Sequence, residues 1–141
     1  MSAIKSEETT LMDSEKTCFD YCKEGSLNKL KEFLSKAENK KESINQTDEN
    51  QMSLLMWACD RGNLELVEYL VESGVDVNLQ DSDGQSSLHY AASCDHTDIV
   101  KFLLKNEKIN IDLLDSDGLR ASESSDNKQI IELFNQMTTS D

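Results

Sequence analysis

The chain has no proline and only 5 glycines in its 141 residues. No turn gains rigidity from a ring-fixed φ, a stabilisation of about 0.4–1 kcal/mol wherever proline would fit. No run approaches the roughly 18 apolar residues needed to cross a bilayer. The opening stretch, Met1–Lys16, holds no apolar segment of secretory-signal length. These absences lead us to expect a cytoplasmic or nuclear chain with reduced thiols. Positive charge is scarce: Lys and Arg total 14 against 28 Asp and Glu, a formal net charge of −14. Such a surplus repels phosphate and anionic lipid, which argues against nucleic acid or a membrane surface as the main partner. It suits a basic protein partner. A hydrophobic fraction of 37% is low for a globule with one central core, and the length suggests a single domain.

Catalytic and metal motifs are missing too. Nothing resembles a glycine-rich phosphate loop followed by Lys-Ser/Thr. Asp-Ser-Asp-Gly occurs at 81–84 and 115–118, but the twelfth position of a calcium loop falls on Ala92 and Asp126 and offers no bidentate glutamate. Cys18 and Cys22 share a helix face, yet no second pair follows at finger-like spacing. With Cys59 and Cys94 they read mostly as small buried hydrophobes. Cys94-Asp95-His96 imitates a thiol–imidazole pair, but adjacent residues rarely point together and no orienting third group is evident. We expect no catalytic residue, no metal and no cofactor.

What the chain does have is repetition. Asp48–Gln80 aligns with Asp81–Leu114 at an offset of 33: Ser53 falls on Ser86, Leu55 on Leu88, Trp57 on Tyr90, Ala58 on Ala91, Leu66 on Ile99, Val67 on Val100 and Leu70 on Leu103. An upstream unit matches through Gly25 on Gly62 and Leu27 on Leu64, with about four extra residues in the loop before Ile44-Asn45. A worn unit follows from Asp115. Its first half has lost the pattern, while Ile130, Ile131, Leu133 and Phe134 keep a helical stripe. Short helices that cannot bury their apolar faces alone must stack on neighbouring copies.

A period of 33 with Asp-x-x-Gly, then Leu-His-x-Ala-Ala, then Ile-Val-x-x-Leu-Leu, best preserved in Ser86–Leu104, resembles the ankyrin repeat. The resemblance implies an all-α solenoid of stacked helix-turn-helix units with protruding hairpin tips, about three and a half to four repeats. It places units at about 17–47, 48–80, 81–114 and 115–137, between a flexible acidic segment 1–16 and a disordered tail 138–141. Ser53 and Ser86 become helix caps, Gly25 and Gly62 left-handed helix ends, and His89 a residue that bonds backbone across its turn. The chain departs from the pattern where Gln51 replaces the tip glycine, Asp95 an inter-helix glycine and Met56 the histidine. The lysine-rich first unit and the polar last unit read as caps. We expect the last unit to fray first.

The resemblance also implies a non-catalytic protein-interaction module, of adaptor, scaffold or inhibitor type and monomeric, that grips a protein partner with its concave face and turn tips. The implied contact residues are Glu49, Asn50, Met52, Asp60 and Arg61 in the second unit, Ser82, Asp83, Gln85, Ser93 and Cys94 in the third, and Ser116, Asp117 and Leu119 in the fourth. The aspartates at 48, 81 and 115 read as turn formers. Trp57 and Tyr90, in one column, are expected to stack between repeats. The run Trp57–Gly62 with Leu88–Ala92 and Cys94 is more specifically similar to ankyrin-bearing acyl-CoA-binding-domain proteins. In that family a separate four-helix bundle holds the thioester. The residues before the first repeat are too few for such a bundle, so no acyl-CoA-binding residue is carried over.

Overall fold

The computed structural model describes residues 16–139, with side chains from 16 to 137. Helical hairpins follow one another. α1 (Cys18–Glu24) and α2 (Leu27–Ser35) form the first, with α3 (Lys40–Ile44) after it. α4 (Leu54–Arg61) and α5 (Leu64–Glu72) form the second, α6 (Ser87–Ser93) and α7 (Thr97–Leu104) the third. The fourth unit has a 3-10 turn (Ala121–Glu123) and α8 (Lys128–Thr139). First helices pack on first helices, α1 against α4 and α4 against α6, so the core runs along the stack instead of closing on one centre. Leu30, Leu34, Leu54, Leu55, Leu66, Leu70, Leu88, Ile99, Leu103 and Ile130 fill it, each at most 1% exposed. Ala58 on α4 and Ala91 on α6 are fully buried.

Local chemistry sets the boundaries. The Ser53 hydroxyl accepts from the Met56 amide (3.2 Å) and the Ser86 hydroxyl from the His89 amide (3.3 Å), each satisfying a free donor at a helix start. Gly25 and Gly62 end their helices in the left-handed region, at φ 78 and 75. Gln51 (φ 64) and Asp95 (φ 60) adopt that region without being glycine. Of the expected stripe, Leu66, Val67 and Leu70 are buried, while Val71 is only partly covered.

The structure differs from the sequence expectation in three places. The loop inserted in the first unit folds as α3: Asn39 caps it by accepting from the Glu42 amide at 3.1 Å, and Ile44 anchors it in the core. In the fourth unit, Ser and Asp residues between Ala121 and Asn127 compete with a helix ladder for backbone groups, and only a 3-10 turn forms, held by buried Ala121. α8 runs two residues past the expected end at 137, so Thr138 and Thr139 are helical instead of tail. The expected flexible segment lies outside the described residues except for Lys16, as do the last two tail residues.

Candidate functional site

The tips are built by aspartates. Asp48 Oδ1 accepts from the Asn50 and Met52 amides, both at 2.9 Å. Asp81 does the same for Asp83 and Gln85, and Asp115 for Asp117 and Leu119. The second carboxylate oxygen reaches into the following helix. Asp48 Oδ2 accepts from the Trp57 indole at 3.0 Å, and Asp81 Oδ2 accepts a short bond from the Tyr90 hydroxyl. One side chain thus closes the turn and ties it to the helix. The turn-former expectation holds for all three aspartates. The expected Trp57–Tyr90 stack is corrected: each ring bonds the aspartate of its own unit, because that acceptor lies within reach of its polar edge.

Successive tips are stitched together by backbone. The Ser82 amide donates to the Asn50 carbonyl (3.1 Å) and the Ser116 amide to the Asp83 carbonyl (2.9 Å). His89 adds a side-chain link. Its Nε2 lies 2.9 Å from the Leu119 carbonyl, so that nitrogen carries the proton. Nδ1 then accepts from Ser86. The histidine therefore spans its own turn and the next unit's tip. Met56 partly replaces it: the Ser53 amide points at its sulfur, 3.4 Å away. His96 stands at the N-cap position of α7 without a side-chain capping bond, and its ring lies 3.2 Å from the Asp60 carbonyl, far from any catalytic arrangement.

Most expected contact residues are open to solvent. Glu49, Asn50, Arg61, Ser82, Asp83, Ser93, Cys94, Ser116, Asp117 and Leu119 are exposed, and Asp60 and Gln85 partly so. Met52 is the exception and is corrected: it is 9% exposed, drawn inward as its amide bonds Asp48, and offers a partner almost nothing. Cys94 donates to Asp60 Oδ1 at 3.6 Å, and Ser125 to Asp95 Oδ1 at 3.2 Å. Cys18, Cys22 and Cys59 are buried as expected, whereas Cys94 is exposed.

The electrostatics are uneven. Lys23 lies 4.5 Å and Arg61 5.8 Å from the Trp57 ring centre, both within cation–π range. Burial works against the charge of Asp48, but the Trp57 indole, the Met52 and Asn50 amides and nearby Lys23 outweigh it and hold its carboxyl below the usual range. Burial raises the Tyr90 phenol, aided by Asp81, Asp60 and Asp83. Lys23 and the two aspartate–aromatic latches were missed from sequence. The spacing Asp48-to-Trp57 equals Asp81-to-Tyr90, and that repetition was the available signal.

A family model for ankyrin repeats (3 copies) matches residues 19–115. The chain belongs to the ankyrin-repeat family. The human Notch-regulated ankyrin repeat-containing protein is 35% identical over 86 residues, covering 61% of this ankyrin chain and 75% of that protein. Rat acyl-CoA-binding domain-containing protein 6 is 38% identical over 65 residues, 46% of this chain and 22% of its own length. Drosophila melanogaster E3 ubiquitin-protein ligase Ufd4 is 47% identical over 75 residues, 53% of this chain but 3% of its own length. Against the last two, this ankyrin chain spans a small part of a longer relative. The likeness read from Trp57–Gly62 and Leu88–Cys94 is borne out by the rat protein, and the matched share carries ankyrin repeats of the kind that generally mediate protein–protein contact.

Proposed function

We propose that this ankyrin stack is a non-catalytic, monomeric protein-interaction module of the cytoplasm or nucleus, gripping a basic protein partner with its concave face and tips. One observation carries this: the bonds that hold the tips come from backbone, from Asp48, Asp81 and Asp115, and from Gln80 and His89, while among the described residues the side chains of Glu49, Asn50, Ser82, Asp83, Ser116 and Asp117 make none. Exposed side chains on a rigid backbone are free to recognise a partner at low ordering cost. The test is selection from a displayed peptide library against the intact chain. Glu49→Lys, Asp83→Lys and Asp117→Lys together should abolish capture of the selected ligands. Reversal of Glu65, Glu68 and Glu72 on α5 should not. Ligands retained equally by both variants would refute the tips as the grip.

The similarity to the rat acyl-CoA-binding protein favours a second reading, an accessory domain in acyl-CoA handling. Calorimetric titration of this chain with palmitoyl-CoA separates the two. Saturable binding would promote the second reading, and its absence leaves the first in place.

A further inference from the structure

Repetition lets one unit serve as the template for the next. In the second unit the Trp57 ring is covered by Lys23, from the preceding unit's first helix, and by Arg61, one turn further along α4. In the third unit the matching ring is Tyr90. Lys23 aligns with Asp60 and Arg61 with Cys94. Where the chain lays two cations on one ring, it sets an acid and a thiol beside the next, and these bond each other at 3.6 Å. The Tyr90 hydroxyl bonds one oxygen of Asp81 and the Asp83 amide bonds the other, which sets Asp83 on the tip that Tyr90 holds. Among the described residues, no lysine or arginine pairs with Asp60 or Asp83 or covers the Tyr90 ring. The ring is only partly buried and Asp83 is exposed, so the position is open to a visitor.

We infer that the Tyr90 ring, with Asp60 on the preceding unit and Asp83 on its own tip, is a notch for one lysine or arginine side chain of the partner protein. The incoming cation takes over Tyr90 the place that Lys23 takes over Trp57. This rests on the concave face being the partner surface, and narrows the partner to one that presents a basic side chain at the third unit. A cation there gains the ring face and two carboxylates together. Arginine fits better than lysine, because its planar guanidinium stacks on the ring while its edge faces the acids. An acidic or apolar side chain would leave the carboxylates without a counter-charge.

The test is an NMR titration of the full chain with a terminally blocked Gly-Ser peptide carrying two arginines, and with its glutamate counterpart. The Tyr90 ring and Cys94 signals should move saturably with the arginine peptide and stay still with the glutamate one. Asp60→Asn should weaken the effect at least about fivefold, and Glu107→Gln, on an exposed loop, should leave it unchanged. Asp60→Lys should abolish it by supplying the cation internally. Amide spectra of each variant establish that it is folded. Shifts spread evenly over the acidic surface, or equal affinity in Asp60→Asn and Glu107→Gln, would overturn the notch. If library ligands seat on the concave face but lose nothing when their basic residues become glutamine, the notch fails and the interaction module stands. If the arginine peptide fills the notch while no selected ligand touches the concave face, the module fails and the notch stands.

Discussion

Gln51 offers a direct measurement of what a left-handed residue costs in this stack. Its φ is 64, while the glycines in the same column, Gly84 and Gly118, stand at 75 and 78. An L-residue pays roughly 1–2 kcal/mol in that region. Glycine removes this penalty but returns about 0.4–1 kcal/mol through the entropy of the unfolded chain. Gln51→Gly should therefore stabilise by about 0.5–1 kcal/mol. Nothing offsets the gain. The Gln51 side chain is exposed and makes no bond, and its amide keeps the 2.9 Å bond to the Asp48 carbonyl. The reverse changes calibrate the argument. A Cβ at Gly118 meets nothing within 4 Å, so Gly118→Ala should cost only the conformational difference, about 0.5–1 kcal/mol. A Cβ at Gly62 would lie 2.5 Å from the His96 ring, which must leave the Asp60 carbonyl 3.2 Å away. Losing that contact adds about 1 kcal/mol, for about 2 in total.

Urea unfolding followed by Trp57 fluorescence and by circular dichroism reads all three. With a slope of about 1.5 kcal/mol/M, the midpoint should rise by about 0.3–0.7 M for Gln51→Gly, fall by as much for Gly118→Ala, and fall by about 1.3 M for Gly62→Ala. A lower midpoint for Gln51→Gly, or equal falls for the two alanine variants, would refute the reasoning.

Burial shields Cys18, Cys22 and Cys59 and raises their thiols, Cys18 to about 11 and Cys22 to about 12, whereas Cys94, also raised by partial burial and by Asp60, is exposed, so at pH 8 a thiol reagent should label only Cys94 in the folded chain and all four cysteines in urea. Fast labelling of a second cysteine without denaturant would contradict the core assignment. The raised Tyr90 phenol adds stability that is complete below the unfolded tyrosine pKa of about 10 and is lost as pH rises beyond it. Tyr90→Phe should flatten that decline, and an unchanged slope would count against the latch. Native-state hydrogen exchange should release α8 before α4–α7, since α8 has no first helix to pack on in its own unit; an α8 that outlasts α5 would reverse this order. Against library ligands, Asp83→Lys alone should cost more affinity than Asp117→Lys alone, and equal losses would show that the two tips are equally rigid.

What was legible from sequence followed from repetition. A column that carries serine, glycine or leucine in two or three units has one backbone role, and caps, helix ends and core positions were placed from such columns. Interactions between columns were harder to read. Asn45 and Asn78 align, yet the bonds they make, from the Asp76 amide at 2.7 Å and the Asn110 amide at 2.8 Å, depend on the rise from one unit to the next. The aspartate–aromatic latches likewise need the geometry of the turn. Met52 was misplaced because its column holds Gln85 and Leu119, which are more exposed; side-chain size and the overlying unit decide burial there.

The latches also make the tip row uneven. In the second and third units the aspartate holds its turn and its helix together, so the tip moves only if the helix does. The column of Trp57 and Tyr90 continues to Ser124 in the fourth unit, which is too short to reach Asp115 and bonds the Arg120 carbonyl instead. That tip is held from behind, by the Asp83 carbonyl and by His89. Asp115 closes the turn itself, but the turn's anchoring is thus borrowed from the third unit. If the tips are the partner surface, a ligand across the row would meet preset side chains at Glu49 and Asp83, whereas at Asp117 part of the binding energy would go into fixing the tip. The loss of one aromatic residue in the worn unit therefore weakens both the fold and the surface it presents.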